Sequence, residues 1–145
     1  MRSVDAFSRL DEHQALIRQQ LAAAIDRVRD GQVRRETEAA QTRWQMLRLL
    51  RDYQLFKHVE IYEPFTRSRD AGRAAAARGL KAACIHASEN YRTFTLVWNA
   101  DRIAADWGGY CAAVLNMVSL IEQHLITERA AIVRLMADIH RTRRN

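Results

Sequence analysis

The chain has few of the residues that interrupt helices or cross-link a fold. Its 145 residues include one proline, five glycines and two cysteines. So little proline and glycine, in a sequence rich in alanine, leucine, arginine and glutamine, favours a mostly helical protein. Cys84 and Cys111 do not form a Cys-x-x-Cys motif, so the sequence predicts neither a zinc knuckle nor a disulfide scaffold.

Long apolar runs are also missing. No stretch approaches the roughly 20 apolar residues that a membrane span needs, and the first residues contain no apolar signal core. We therefore expect a cytoplasmic protein without a membrane segment. With 48% hydrophobic residues the chain can bury one core, which predicts a single domain over residues 1–145.

The balance of charge is basic, with a formal net charge of +6. Such an excess raises the hypothesis of a nucleic-acid or acidic partner. The arginines are spread along the chain, however, and no glycine-rich or aromatic RNA-binding signature accompanies them. A basic solvated surface is therefore the favoured interpretation, and nucleic-acid binding is the weaker one.

Apolar residues recur with helical period in four long segments. The spacing predicts helices over about residues 4–30, 34–65, 71–97 and 110–140. Pro64 removes a backbone donor and crowds the carbonyl of the residue four positions earlier, so the second helix should kink or finish there. Four such helices with short connections predict an all-α protein, an up-and-down antiparallel four-helix bundle.

The predicted inner faces carry several large or polar side chains. On the second helix the inner face includes Trp44, Leu55 and Tyr62, and on the third it includes His86 and Asn90. These faces fix which side chains are expected to meet in the core.

Each predicted helix carries one histidine on its apolar stripe. Glu128 lies four residues after His124, which puts both side chains on one helix face with Cβ atoms roughly 5–6 Å apart. An imidazole and a carboxylate in a core are costly unless something satisfies them, and a metal ion would do so. The pattern therefore predicts a metal site whose candidate ligands are His13, His58, His86, His124 and Glu128.

In these residues the chain resembles the hemerythrin-like (HHE cation-binding) family. The resemblance spans nearly the whole chain, from residues 11–17 (Asp-Glu-His-Gln-Ala-Leu-Ile) to residues 122–128 (Glu-Gln-His-Leu-Ile-Thr-Glu). Members of that family are up-and-down four-helix bundles that hold two non-haem irons bridged by carboxylates. The resemblance implies that the five candidate residues bind a di-iron centre. The four-histidine set is similar to that of di-iron proteins linked to iron–sulfur repair and nitrosative stress.

One position departs from the family pattern. The family has a glutamate four residues after the histidine of the second helix, and here that position is Tyr62. Tyr62 could give a phenolate to ferric iron or lie beside the metal. A displaced Glu63 or Glu60 could bridge instead, or the site could hold one metal or none. The competing explanation of Tyr62 is an aromatic packed on the core, with its hydroxyl bonding a histidine or water.

Three functions follow from these alternatives. Imidazole and carboxylate ligands suit iron, and zinc or manganese use them too. The leading hypothesis is a di-iron protein that binds or senses oxygen, nitric oxide or peroxide in a stress response. The second is an enzyme that decomposes peroxide or delivers iron to damaged clusters. The third is a metal-free interaction or regulatory module with a protein partner.

Overall fold

The computed structural model describes residues 3–30 and 35–144, and within them the side chains of residues 5–30 and 41–137. No β-strand occurs in these ranges, so the predicted all-α class is confirmed. None of the helices in the described part of the chain has the length and apolar character of a membrane span. The segments are α1 (Ser3–Asp30), α2 (Arg35–Phe56), a π-helical turn (Lys57–Tyr62), α3 (Glu63–Thr66), α4 (Ala71–Val97), α5 (Ala100–Ala105) and α6 (Trp107–Arg144).

Short polar residues begin the later helices. The Asp70 side chain accepts the backbone N–H of Arg73 at 3.1 Å and so caps α4. Asp106 accepts the backbone N–H of Gly109 at 2.9 Å at the start of α6. A Cβ at Gly109 would collide with the Asp106 carboxylate, so glycine permits this close approach. Such caps satisfy N–H groups that have no partner within the helix.

The long helices form a bundle-like fold around an apolar core. Helix α1 contacts α2 and α6, while α4 contacts α6 and α2. Leu10, Ile17, Leu125 and Ile132 are at most 1% exposed. Burying a side chain of this size stabilises the fold by about 1.5–3 kcal/mol relative to leaving it in water. This packing therefore fixes the position of α1 relative to α6, and with it the polar side chains that both helices carry.

Helix α2 buries a different face from the predicted one. Trp44 and Leu55 were expected inside, but they are 65% and 63% exposed. Met46 and Tyr53 are buried instead, as is Lys57 at the start of the π-helical turn that follows. Because apolar residues occur on several sides of this helix, their period does not single out one inner face. The prediction for this face was wrong at Trp44 and Leu55, whereas Tyr62 is buried as predicted.

Helix α4 has the bounds predicted for it, but it too is rotated. Its buried line runs through Ala77, Cys84 and Tyr91, whereas His86 and Asn90 are exposed. The many alanines of α4 give a weak apolar stripe, because small side chains can face either the core or water. The inward direction predicted for His86 was therefore wrong.

The distortion expected at Pro64 begins one turn earlier, in the π-helical turn. Pro64 crowds the carbonyl of Glu60, which lies inside that turn. In a regular helix, residues five apart point about 140° away from each other. The wider π-helical turn brings Lys57 and Tyr62 onto one side, and both are buried. This local irregularity positions the polar site described next.

A buried ion pair as the candidate functional site

The centre of the site is the carboxylate of Glu128, which α6 carries into the core. Lys57 Nζ lies 2.7 Å from Glu128 Oε1 and 2.8 Å from Oε2. Glu128 is 3% exposed and Lys57 1%. Buried charges persist in a core when an opposite charge neutralises them and hydrogen bonds satisfy what remains. The two residues therefore form a charge-neutral unit.

Two tyrosines complete the coordination of the carboxylate. The Tyr53 hydroxyl donates to Glu128 Oε1 at 2.7 Å, and the Tyr62 hydroxyl donates to Oε2 at 2.6 Å. With the two bonds from Lys57, each carboxylate oxygen accepts two hydrogen bonds. An ionised carboxylate offers about four lone-pair sites. Glu128 is therefore saturated by this chain's own donors.

The donors are themselves held by further contacts. Gln14 Nε2 donates to the Tyr53 hydroxyl at 2.9 Å. The third Lys57 hydrogen bond goes to Cys84 Sγ at 3.0 Å, and Lys57 Nζ lies 3.7 Å from the Tyr53 ring centroid. An ammonium has three N–H donors, so Lys57 is saturated as well. We call this group the Glu128 cluster: Gln14, Tyr53, Lys57, Tyr62, Cys84 and Glu128.

The electrostatics of the cluster keep its ionisation states fixed. Burial acts to raise the pKa of Glu128, but the Lys57 ammonium and the hydrogen bonds outweigh it, so the pKa is lowered. Burial and the Glu128 charge raise the pKa of both Tyr53 and Tyr62. Burial also raises the pKa of the Cys84 thiol. At neutral pH the tyrosines are therefore protonated donors to a carboxylate.

Two predicted ligands, His13 and His124, lie beside the cluster. His124 Nε2 is 3.5 Å from Glu128 Oε1, longer than a strong hydrogen bond. The His13 ring stacks on Phe56 with centroids 4.9 Å apart, and lies 6.0 Å from the Tyr53 ring. Burial lowers the pKa of both imidazoles. They are packed as neutral rings around the cluster.

The other two histidines contact less of it. The His58 ring centroid lies 5.7 Å from the Tyr62 ring centroid. Burial lowers the pKa of His58. His58 Nε2 is buried and has no hydrogen-bond partner among the described residues. His86 lies on the exposed side of α4 and reaches only the edge of a cavity that His124 also lines. Of the four candidate histidines, His86 is the exposed one, and the other three are half-buried.

The alternative carboxylates proposed for the second helix lie elsewhere. Glu60 pairs with Arg9 at 2.5 Å, and Glu63 pairs with Lys81 at 2.8 Å. Neither takes part in the Glu128 cluster. The position next to Glu128 is filled by Tyr62, whose hydroxyl bonds the carboxylate.

A metal ion would need several of the candidate ligands together around Glu128. Within the described residues, no group of three or more His, Cys, Asp or Glu side chains could hold one. Both oxygens of Glu128 are saturated, and the Lys57 ammonium lies where a bridging cation would contact them. In this arrangement the residues do not fit a di-iron centre. Iron binding by the five candidate ligands stays a prediction from the sequence.

Sequence reasoning missed four members of the cluster: Gln14, Tyr53, Lys57 and Cys84. Lysine is among the residues least often buried, so residue type alone does not predict that Lys57 lies on the inner face. A signal was nevertheless present. Residues 46, 50, 53 and 57 recur at intervals of four, three and four, which is a helical stripe that ends on a cation.

Comparison of the chain with protein-family models, with curated proteins and with solved structures found no match. The resemblance to hemerythrin-like proteins therefore depends on the histidines, on Glu128 and on their helical spacing.

Proposed function

We propose that this chain is a hemerythrin-like four-helix bundle that works without a metal, as an interaction or regulatory module. The observation that carries the proposal is the Lys57 ammonium on the Glu128 carboxylate. In the family that the chain resembles, cations neutralise buried carboxylates. Here a side chain of the protein itself supplies the positive charge.

The chemistry of lysine limits what such a core can do. An ammonium neutralises one carboxylate and donates three hydrogen bonds, but it has no accessible second oxidation state and no open coordination position. The cluster supports a fixed, fully paired polar core. A role in binding partners follows from this better than oxygen carriage or peroxide turnover does.

The di-iron hypotheses require Lys57 to move away from Glu128. For a metal to bind Glu128, the ammonium must leave the carboxylate and at least one tyrosine must give up its hydrogen bond. Binding of oxygen, nitric oxide or peroxide, peroxide decomposition and iron delivery all need this rearrangement. These functions stay predictions, and the iron-binding experiment described next tests them as well.

The experiment compares iron binding by wild type, Lys57→Ala and Lys81→Ala after anaerobic loading with Fe(II) and desalting. Lys81 is the matched control, since it is a lysine paired with the surface residue Glu63. We expect substoichiometric iron in wild type and in Lys81→Ala, and no rise in Tm on adding Fe(II). Lys57→Ala frees lone pairs on Glu128 and should retain more iron.

Two irons per wild-type chain, lost in a His58→Ala plus His124→Ala variant, would overturn the proposal and establish the di-iron site instead. If Lys57→Ala does not fold, Lys57→Met replaces it, because methionine keeps most of the side-chain volume. The wild-type result decides the matter in either case.

A further inference from the structure

A cavity of about 290 Å³ lies next to the Glu128 cluster, between α2, α4 and α6. Its floor is formed by Tyr53 on α2 and Lys57 at the start of the π-helical turn, and both are buried. Its exposed lining residues, such as His86 and Leu120, are on α4 and α6. The cavity therefore opens along the seam between α4 and α6, with Lys57 of the ion pair at its inner end.

The inner end of the cavity offers no unpaired charge. All three Lys57 donors are engaged, two by Glu128 and one by Cys84. Both Glu128 oxygens accept two hydrogen bonds each. An anion would find no free donor on the ammonium, and a cation would find no free lone pair on the carboxylate. At this end of the cavity a charged ligand would lose its hydration without compensation.

Most of the wall surface is apolar. Leu50, Ile121 and Leu125 line the cavity, and Met117 adds a polarisable sulfur that packs well against aromatic rings. Of the polar side chains in the lining, Ser88 and Gln54 bond each other at 2.6 Å, and His86 and Asn90 are exposed at the rim beside the half-buried His124. An apolar molecule would contact most of this surface with little desolvation penalty.

The volume limits the size of the occupant. An apolar cavity of about 150 Å³ in another protein takes up benzene, and pockets for small molecules begin at about 300 Å³. A cavity of about 290 Å³ therefore suits a molecule of one or two fused rings.

We propose that this cavity binds a small, uncharged, mainly apolar ring compound with at most one polar group directed to the rim. The inference rests on the proposed function, since it needs the Lys57–Glu128 pair as a neutral floor. Such binding would give the metal-free module a small-molecule signal to respond to.

The test uses three probes that share one ring system: indole, the anion indole-3-acetate and the cation tryptamine. Isothermal titration calorimetry should show saturable 1:1 binding of indole to the wild-type chain. Affinity for the two charged probes should be weaker by about tenfold or more, which corresponds to about 1.4 kcal/mol.

Variants locate the binding. Ala87 lines the cavity, so Ala87→Phe should fill it and abolish indole binding. Ala82→Phe, on the same helix but outside the lining, is the control and should bind indole as wild type does. Circular dichroism and Tm confirm folding, and Ala83→Leu at the rim replaces Ala87→Phe if that variant does not fold.

Three results would overturn the inference: no saturable indole binding by the wild type, equal affinity for all three probes, or unchanged binding in the filled variant. Iron is quantified in the same samples. If the protein is metal-free and does not bind indole, only this inference is contradicted. If it holds stoichiometric iron, the proposed function is contradicted.

Discussion

The polar and aromatic regions of the core are built on different principles. The Glu128 cluster joins α1, α2, the π-helical turn, α4 and α6 through hydrogen bonds of 2.6–3.1 Å. The aromatic region consists of Phe94 on α4, Trp98 in the connection after it, and Trp107 and Tyr110 on α6. Trp107 and Tyr110 have centroids 5.6 Å apart, and Phe94 and Tyr110 6.3 Å.

The two regions differ in how much stability is lost when one side chain is removed. A ring pair contributes about 0.5–1.5 kcal/mol beyond burial, and neighbouring rings can repack. A buried charge network fails when one member leaves, because the remaining charge keeps its full desolvation penalty. We therefore expect substitutions in the Glu128 cluster to be strongly coupled and those among the aromatic rings to be nearly additive.

The largest effect should come from separating the ion pair. Glu128→Leu leaves the Lys57 ammonium buried without a carboxylate, and Lys57→Met leaves the carboxylate without a cation. Each should lower the free energy of unfolding by about 3–5 kcal/mol. The double variant removes both charges and should be more stable than either single variant, as urea denaturation would measure.

The exposed pair Arg129–Asp11, with its atoms 2.8 Å apart, is the control for this double-mutant cycle. Its coupling energy should be about 0–1 kcal/mol. Additive losses at Lys57 and Glu128, as large as the sum of the single variants, would contradict the coupled network.

A smaller effect should separate two tyrosines that are both buried. Tyr62→Phe removes a hydrogen bond to a charged acceptor and should destabilise the chain by about 1–3 kcal/mol. Tyr110 packs on Phe94, Trp98 and Trp107, and Tyr110→Phe keeps these ring contacts, so it should cost less than Tyr62→Phe, about 1 kcal/mol or below. Equal losses in the two variants, measured by chemical denaturation, would remove the distinction between the two regions.

The same contrast explains how far the sequence could predict the fold. Helical period and the scarcity of glycine and proline were enough for the all-α class and for the bounds of α4. The inner faces of α2 and α4 were not predictable from period alone. Alanine and scattered leucines leave several faces with similar apolar character.

For the site, the sequence led to one of its central residues, Glu128, and to Tyr62 beside it. The stripe of residues 46, 50, 53 and 57 indicates that Lys57 faces inward, but not that it meets Glu128 together with Tyr62. That arrangement depends on the π-helical turn, which puts Lys57 and Tyr62 on one side, and on the packing of α6 against it. The local pattern of residue types carries no information about where a charged partner on another helix lies. Pro64 indicated a distortion, but not its direction.

The smallest effect is the pH dependence, which should also distinguish the two regions. The pKa values of His13, His58 and His124 lie below 6.5 in the folded chain. The unfolded chain therefore binds more protons as the pH falls below about 6.5, and the free energy of unfolding decreases. The lowered pKa of Glu128 has the same sign, and its contribution is lost as the pH falls below about 4.5.

Urea denaturation from pH 8 to pH 4 should therefore show a plateau, a decline that begins near pH 6.5 and a steeper decline below about pH 4.5. His124→Gln should shallow the first decline. Tyr110→Phe, in the aromatic region, should shift the curve without changing its shape. A wild-type profile that stays flat between pH 8 and pH 5 would mean that the imidazoles beside the Glu128 cluster gain no energy from staying neutral.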